Sequence, residues 1–466
     1  MNRLHIMLND RKRSLFLAAM AAVLVLLSGG TNALAIISYT VRCVPSHTIN
    51  PSCTATDYAT IQAAVTAANS GDTILVAAGI YPESVTINET GHSRDNLSLL
   101  GAQAGNDARV DRHDPSKESI VDATGKGNSA IIVEALAVVV DGFTVQGGTQ
   151  GNATGIDLKG TCSTNTTPGN GGIVLNNILT NNSTGVSLNS EGCGTPGTWP
   201  PPSGALLVGA LVEHNLFKNN NAGPPASGPG NGVYTSGVQH AVITENEFFG
   251  NKTSALGMNN ADDVTIANNT SEKDASFVIL TGTTNVTFSH NQGEDFGANG
   301  ASSGAGDAAV AVGPGNQYLV ISDNSLEKGK APISNGIAFT SIFGAGPVNT
   351  DIYVKNNLIK RFPGTGILAE EGVCDAPCTG TLTLSFILGN EVDENGVDGI
   401  YIDGTVRNSS NSLFDNEAEG NSNNDCEDDT TEGPGTLKTW NRWFNNTGNL
   451  SSPKGLCTPG RRNDHH

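Results

Sequence analysis

The chain has 466 residues and a formal net charge of −20, with 57 Gly and 50 Asn but only 15% charged and 5% aromatic residues. Gly and Asn together make nearly a quarter of it, and both disfavour helix interiors, which excludes an all-helical protein or a coiled coil. The scarcity of Lys and Arg excludes a basic nucleic-acid binder, and periodic apolar residues at low charge exclude a disordered chain.

Residues 1–35 read as a secretory leader. Arg3, Arg11, Lys12 and Arg13 precede an apolar run from Leu15 to about Leu27, and Ala33-Leu34-Ala35 supplies small residues for cleavage. The run is short for a membrane span, which needs about 20 apolar residues. Its removal leaves 21 Lys+Arg against 44 Asp+Glu, or −23. No later stretch is apolar enough to span a membrane, so the expectation is a monomer that is secreted or held at the cell surface. The eight cysteines fall in neighbouring couples: Cys43/Cys53, Cys162/Cys193, Cys374/Cys378 and Cys426/Cys457. An oxidising compartment makes disulfides the first expectation, and Cys43–Cys53 would close an extension over 36–56. No CxxC pair or nearby His spacing supports zinc.

A short helix is expected over 57–69, N-capped by Asp57, with Tyr58, Ile61, Ala64, Val65 and Ala68 on one face. Ser70-Gly71-Asp72 stops it, and the strand Thr73-Ile74-Leu75-Val76 follows. From there a repeat takes over: an apolar residue, then Asn three positions on. The pairs are Val174/Asn177, Val212/Asn215, Ile243/Asn246, Ile266/Asn269, Phe288/Asn291, Ile321/Asn324, Val354/Asn357, Ile387/Asn390 and Leu413/Asn416, with a minimum spacing of 22–23 residues. After each Asn comes Gly or another small residue and then apolar-x-apolar, as in Gly232-Val233-Tyr234 and Gly399-Ile400-Tyr401-Ile402. Period-two alternation means short strands with one buried face. Two or three such strands per unit, bent by Gly and Asn, give stacked coils with Asn above Asn. The fold class is all-β: a right-handed parallel β-helix over 57–425, about 11–12 coils, capped in front by the helix and behind by residues 426–466, where Trp440, Trp443, Phe444 and a Cys426–Cys457 clasp would form a lid.

The stretch YATIQAAVTAANSGDTILVAAGIYPESVTI (58–87) resembles the opening of secreted pectin-lyase-like β-helix proteins, among them the NosD-like and the carbohydrate-binding and sugar-hydrolase groups. The resemblance continues through LSLLGAQAGNDAR (97–109), VVVDGFTVQGG (138–148) and the closing segment 421–457. It implies the fold and, more weakly, a polysaccharide partner, since this fold carries many activities. Pectate-lyase relatives need Asp ligands for Ca²⁺ and an Arg or Lys base, and no Arg here matches that role. Of the polygalacturonase segments only an Asp-Asp pair is present, Asp262-Asp263, and the RHDP run at 112–115 scrambles an epimerase motif. Met258 is the one methionine beyond the leader, which argues against the copper-site maturation role of a NosD-like protein.

Rung geometry gives better candidates. Aligning the apolar-x-apolar elements puts Asn189, Ser236, Asn259, Leu280, Gly313, Thr340, Glu370 and Asp403 in one outward row. Glu370 and Asp403 then stand about 4.8 Å apart on adjacent coils, close enough to act as an acid and nucleophile or to hold Ca²⁺. Glu371, Asp398 and Tyr401 nearby are the expected substrate contacts. A second row, just before each ladder Asn, holds His214, Glu245, His290 and Asp323, with Asn268 intervening; it offers metal ligands or a proton relay. The acidic run Asp425, Glu427, Asp428, Asp429 suits either Ca²⁺ or a disulfide-anchored loop. Two functions stay open: a polysaccharide lyase or glycoside hydrolase acting through Glu370 and Asp403, and a non-catalytic β-helix for glycan binding or surface attachment. The longest insertions (161–171, 190–204, 221–231 and 296–307) lie several coils from Glu370, which favours binding.

Overall fold

A computed structural model describes residues 40–44, 57–88, 91, 93–110, 112, 114–149, 153–159, 169–189, 207–220, 230–297, 307–331, 333–340, 347–370, 381–404 and 408–459. The leader, Cys53, Cys162, Cys193, Cys374, Cys378, His113 and Glu371 lie outside the described residues.

One coil shows how the sequence builds the rest. Val242–Thr244 is a strand of the first sheet. Glu245 then turns the chain with a left-handed φ of 51°, and Asn246 enters the interior, fully buried. Glu247–Phe249 joins the second sheet, Gly250 turns at φ 66°, and Asn251 is buried in its turn. Ser254–Asn259 joins the third sheet, and Asp263 (φ 52°) leads into Thr265–Ala267 of the next coil. The residue before each buried Asn thus has to tolerate φ > 0, which costs least for Gly and Asn and excludes β-branched residues. That constraint accounts for much of the Gly and Asn excess.

Stacking gives three all-parallel sheets of fourteen, eleven and thirteen strands among the described residues. The expected eleven to twelve coils match the second sheet; the other two are longer because both ends contribute strands. Val41–Val44 pairs with Thr73–Val76 in the first sheet. At the other end Cys426–Asp428 and Arg442–Phe444 continue the third and first sheets. The expected lid is therefore itself coiled, with Cys426–Cys457 bonded and Trp443 buried, its indole N–H donating to Asp428 Oδ2 at 2.7 Å. Cys43 is also disulfide-bonded, and its partner lies outside the described residues.

Inside, Val174, Val212, Ile243, Ile266, Phe288, Ile321, Val354, Ile387, Leu413 and Trp443 stack in register in the first sheet. Each large side chain fully removed from water contributes about 1.5–3 kcal/mol. Beside this stack runs an asparagine column. The backbone N–H and side-chain Nδ2 of Asn177 both donate to Asn215 Oδ1, Asn215 donates likewise to Asn246, and the pattern runs unbroken through Asn416 to Asn446. From Asn177 to Asn416 each amide nitrogen also donates to a carbonyl of the preceding coil, so the column buries its polar groups paired.

The front helix is shorter than expected, Ile61–Ala67, and its cap is Thr60, whose hydroxyl accepts from the Ala63 N–H at 3.1 Å. Asp57 instead bridges to Cys43 beside the first strand. Two further N–H groups of the first turn, on Ile61 and Gln62, are taken by the Glu83 carboxylate at 2.9 Å each. The Gln62 amide then pairs with the backbone of Thr86 on both sides, which closes the exposed edge of the first strand in the third sheet.

Candidate functional site on the outer face

The third-sheet row forms much as its spacing predicts. Asn189 pairs with Ser236 and Ser236 with Asn259, but the next member is Thr281, not Leu280, which points into the core one position earlier. Backbone bonds then carry the row through Gly313, Thr340, Glu370, Asp403 and Asp429, each N–H donating to the preceding coil. Three carboxylates therefore stand on consecutive rungs about 4.8 Å apart, the third unforeseen. The Thr340 hydroxyl donates to Glu370 Oε2 at 3.1 Å, and the Tyr401 hydroxyl to Asp429 Oδ2 at 3.0 Å. Burial, aided by the charges of Asp403 and Asp307, raises the Glu370 carboxyl above the ordinary range despite the Thr340 bond. Tyr401 is raised too, by burial and then by Asp403 and Asp429.

Asp398 is placed differently from the expectation. It is buried in the turn before Tyr401, where it accepts from Asn423 Nδ2 at 2.9 Å and the Asn424 N–H at 3.0 Å. It also shares a hydrogen bond with Glu427, whose carboxyl burial and Asp398 together push up to about 7. Asp398 thus holds the turn rather than facing solvent.

The second row is brought together only at one end. His214 Nδ1 lies 3.6 Å from Glu245 Oε2, while His290 and Asp323 are exposed neighbours separated from Glu245 by Asn268. Glu213, His214 and Glu245 could share a cation by position. That place is occupied by the chain itself. Arg109 Nη2 lies 2.9 Å from His214 Nδ1 and 3.5 Å from Glu245 Oε2, and it is paired with Asp107 at 2.7 Å. Burial would raise Asp107, but the hydrogen bonds and charge of Arg109 outweigh it and hold its carboxyl low. A guanidinium already neutralising these groups leaves little for a metal to do.

Arg109 ends the stretch 97–109 that carries the resemblance, but no local spacing places it against His214, 105 residues away. The segment folds back over the first-sheet turns: the Ala108 N–H donates to His214 O at 3.2 Å, and Arg112 bonds both Asn176 O and Glu118. A groove of about 330 Å³ lies over the second sheet, lined by Glu247, Thr270, Glu272, Gln292, Glu294 and Glu327 among others. Glu272, Glu294 and Glu327 are in register on successive strands. Each is tied to a cation: Glu272 to Lys273, Glu294 to Lys328 at 3.2 Å, and Glu327 to Arg361. Burial raises Glu247, against the pull of Arg109. The available signal was a Glu on each of four successive second-sheet strands, from Glu247–Phe249 to Ser325–Gly329, but alternating polar residues on a strand are the ordinary solvent face.

Coils, columns and outward rows together define a right-handed parallel β-helix with an acidic outer face. Residues 209–381 match the family model described as the right handed beta helix region, and no curated protein matches the chain. Among solved structures the chain is similar to an alginate lyase from Paenibacillus sp. str. FPU-7, at 12% identity over 82% of this chain and 97% of that one, TM-score 0.40. It is also similar to DFA-IIIase from Arthrobacter chlorophenolicus A6 in complex with GF2, at 13% identity over 78% and 97%, TM-score 0.43. The same enzyme without its lid aligns at 13% identity over 76% and 95%, TM-score 0.46. Among the described residues no helix is long and apolar enough to cross a membrane.

Proposed function

We propose that this chain is an exported β-helix that engages extracellular polysaccharide on the outer face of its third sheet and processes it with Glu370 and Asp403. The observation that carries this reading is the row itself: Glu370 and Asp403 directly follow two adjacent paired strands, with Glu370 raised toward the protonated form an acid needs. Their rung spacing of about 4.8 Å approaches the roughly 5–5.5 Å that separates the two carboxyls of retaining glycosidases. Glu370 is then the proton donor to the leaving oxygen and Asp403 the nucleophile, while Tyr401 and Glu371 contact the sugar. Glu370, Asp403 and Asp429 also offer hard oxygen donors of the kind Ca²⁺ prefers, which would bridge this acidic face to a polyuronate.

A non-catalytic reading is favoured by a different observation. The groove over the second sheet has Glu272, Glu294 and Glu327 fixed by cations, a surface that accepts hydrogen bonds from hydroxyls without having to move. A polysaccharide panel scored for retention and for product, with and without Ca²⁺, separates the two. Product lost in Glu370→Gln and Asp403→Asn supports the first reading; unsaturated ends would mark a lyase, plain reducing ends a hydrolase. Retention without product, weakened by Glu272→Gln with Glu294→Gln but not by changes at 370 or 403, supports the second and overturns the first.

A further inference from the structure

A second side-chain column lines the turn between the second and third sheets. The N–H and Nδ2 of Asn182 donate to Asn220 Oδ1, and those of Asn220 to Asn251 Oδ1. Each amide nitrogen also reaches a carbonyl of the preceding coil: Val145, Leu179 and Phe217 in turn. The next member is not Asn but Asp274, fully buried. Its Oδ1 takes both Asn251 donors, at 2.6 and 2.8 Å. Its Oδ2 stands where the amide nitrogen would be and meets the Ser271 hydroxyl at 2.6 Å.

The register makes Phe248 the carbonyl that an Asn here would reach, since Phe217 pairs with Phe248 and Phe248 with Ser271. An ionised carboxylate has no hydrogen for that carbonyl; a protonated one has. Among the described residues no cation is bonded to the carboxyl, whose side-chain partners are Asn251 and Ser271. The charged groups on the coils around it are Glu247 and Lys252 on one side, Glu272 and Lys273 on its own coil, and Glu294 and Asp295 on the other.

Another column ends in aspartate without this difficulty. Asn421 donates twice to Asp425 Oδ1, and Asp425 Oδ2 then receives two backbone N–H groups, from Asn449 at 2.7 Å and Leu450 at 3.1 Å. Asp274 Oδ2 has one hydroxyl in their place, and a hydroxyl can turn to accept instead.

We propose that Asp274 is a proton-operated latch in the second column: protonated, it stands in for asparagine and completes the stack; ionised, it loosens the coil beneath the second-sheet groove. Ser271 lies in the groove floor and bonds the carboxyl directly, so the latch and the groove share a strand. Burial drives the carboxyl from 3.8 up to about 7, with the charge of Glu272 adding and the bonds from Ser271 and Asn251 opposing. Between those values the folded chain holds a proton that the unfolded chain has lost. Stability therefore falls as pH rises across that window and is level above it.

The test is thermal unfolding of the full chain and of Asp274→Asn from about pH 4 to about pH 9. The variant restores the asparagine and removes the titration. Its Tm advantage over the unsubstituted chain should grow as pH rises to about 7 and then hold constant; a difference independent of pH overturns the proposal. Ser271→Ala, which removes a donor to the ionised form, should move the midpoint of the wild-type decline to higher pH, and an unmoved midpoint takes Ser271 out of the latch. Should Asp274→Asn fail to fold, hydrogen exchange of the unsubstituted chain decides. The amides of Thr270–Glu272 and Gln292–Phe296 should open more readily above the transition than below it, after correction for intrinsic rates, and equal protection refutes the latch.

Discussion

The second and third sheets both carry outward carboxylates one rung apart, yet they treat them in opposite ways. On the second, Glu272, Glu294 and Glu327 each have a Lys or Arg against them, from the next residue for Glu272 and from the next coil for the other two. On the third, Glu370, Asp403 and Asp429 meet only hydroxyls and one another among the described residues, and Glu370 is raised accordingly. The same 4.8 Å repeat, roughly, thus makes a neutralised, fixed surface in one place and an unrelieved charge pair in another. A paired carboxylate is a poor acid and a good fixed acceptor; an unpaired one beside its like readily keeps a proton.

The contrast is broken most severely at the pair itself. Glu370→Gln and Asp403→Asn should each lower glycan turnover by about 100-fold or more, measured as product per enzyme at saturating substrate, with Tm little changed. The pH dependence sharpens it. Turnover should fall as pH rises through the raised pKa of Glu370, because the proton it donates is gone. Asp307→Asn removes one of the charges that hold that pKa up, so the alkaline limb of the rate profile should move to lower pH. A limb that stays in place would mean Glu370 is not the acid.

Smaller effects come from the supporting contacts. Tyr401→Phe deletes the hydroxyl bond to Asp429 and should cost about 1 kcal/mol in denaturant unfolding. Lys328→Gln unpairs Glu294 at a largely exposed site, and its cost should be about 0.5 kcal/mol or less and vanish at high salt. A larger loss at Lys328 than at Tyr401 would invert the reading of the two faces.

The coil was legible because its constraints are local. A left-handed residue followed by a buried Asn recurs at Glu245-Asn246, Asn268-Asn269, His290-Asn291 and Asp323-Asn324, and few residue types can fill the first place. The Glu370–Asp403 register followed from the same periodicity. Leu280 breaks the row because this rung carries an extra apolar residue, Phe277, ahead of its inward pair Val278 and Leu280, so Thr281 is the outward member. The second column was harder to see, since its members Asn182, Asn220 and Asn251 give way to Asp274 and the stack stops there. The helix cap moved from Asp57 to Thr60 because Asp57 is drawn into pairing with Cys43 beside the first strand.

By itself the sequence determined the coil, the first asparagine column and the row that holds Glu370 and Asp403, because each depends on residue type at a fixed short interval. Only the tertiary structure decided that Arg109 fills the space between His214 and Glu245, that Lys and Arg from the turns neutralise the second sheet, and that Asp274 is sealed beneath it. Those contacts join residues whose separation along the chain is set by insertions of variable length, and no local preference encodes which side chains such insertions bring together.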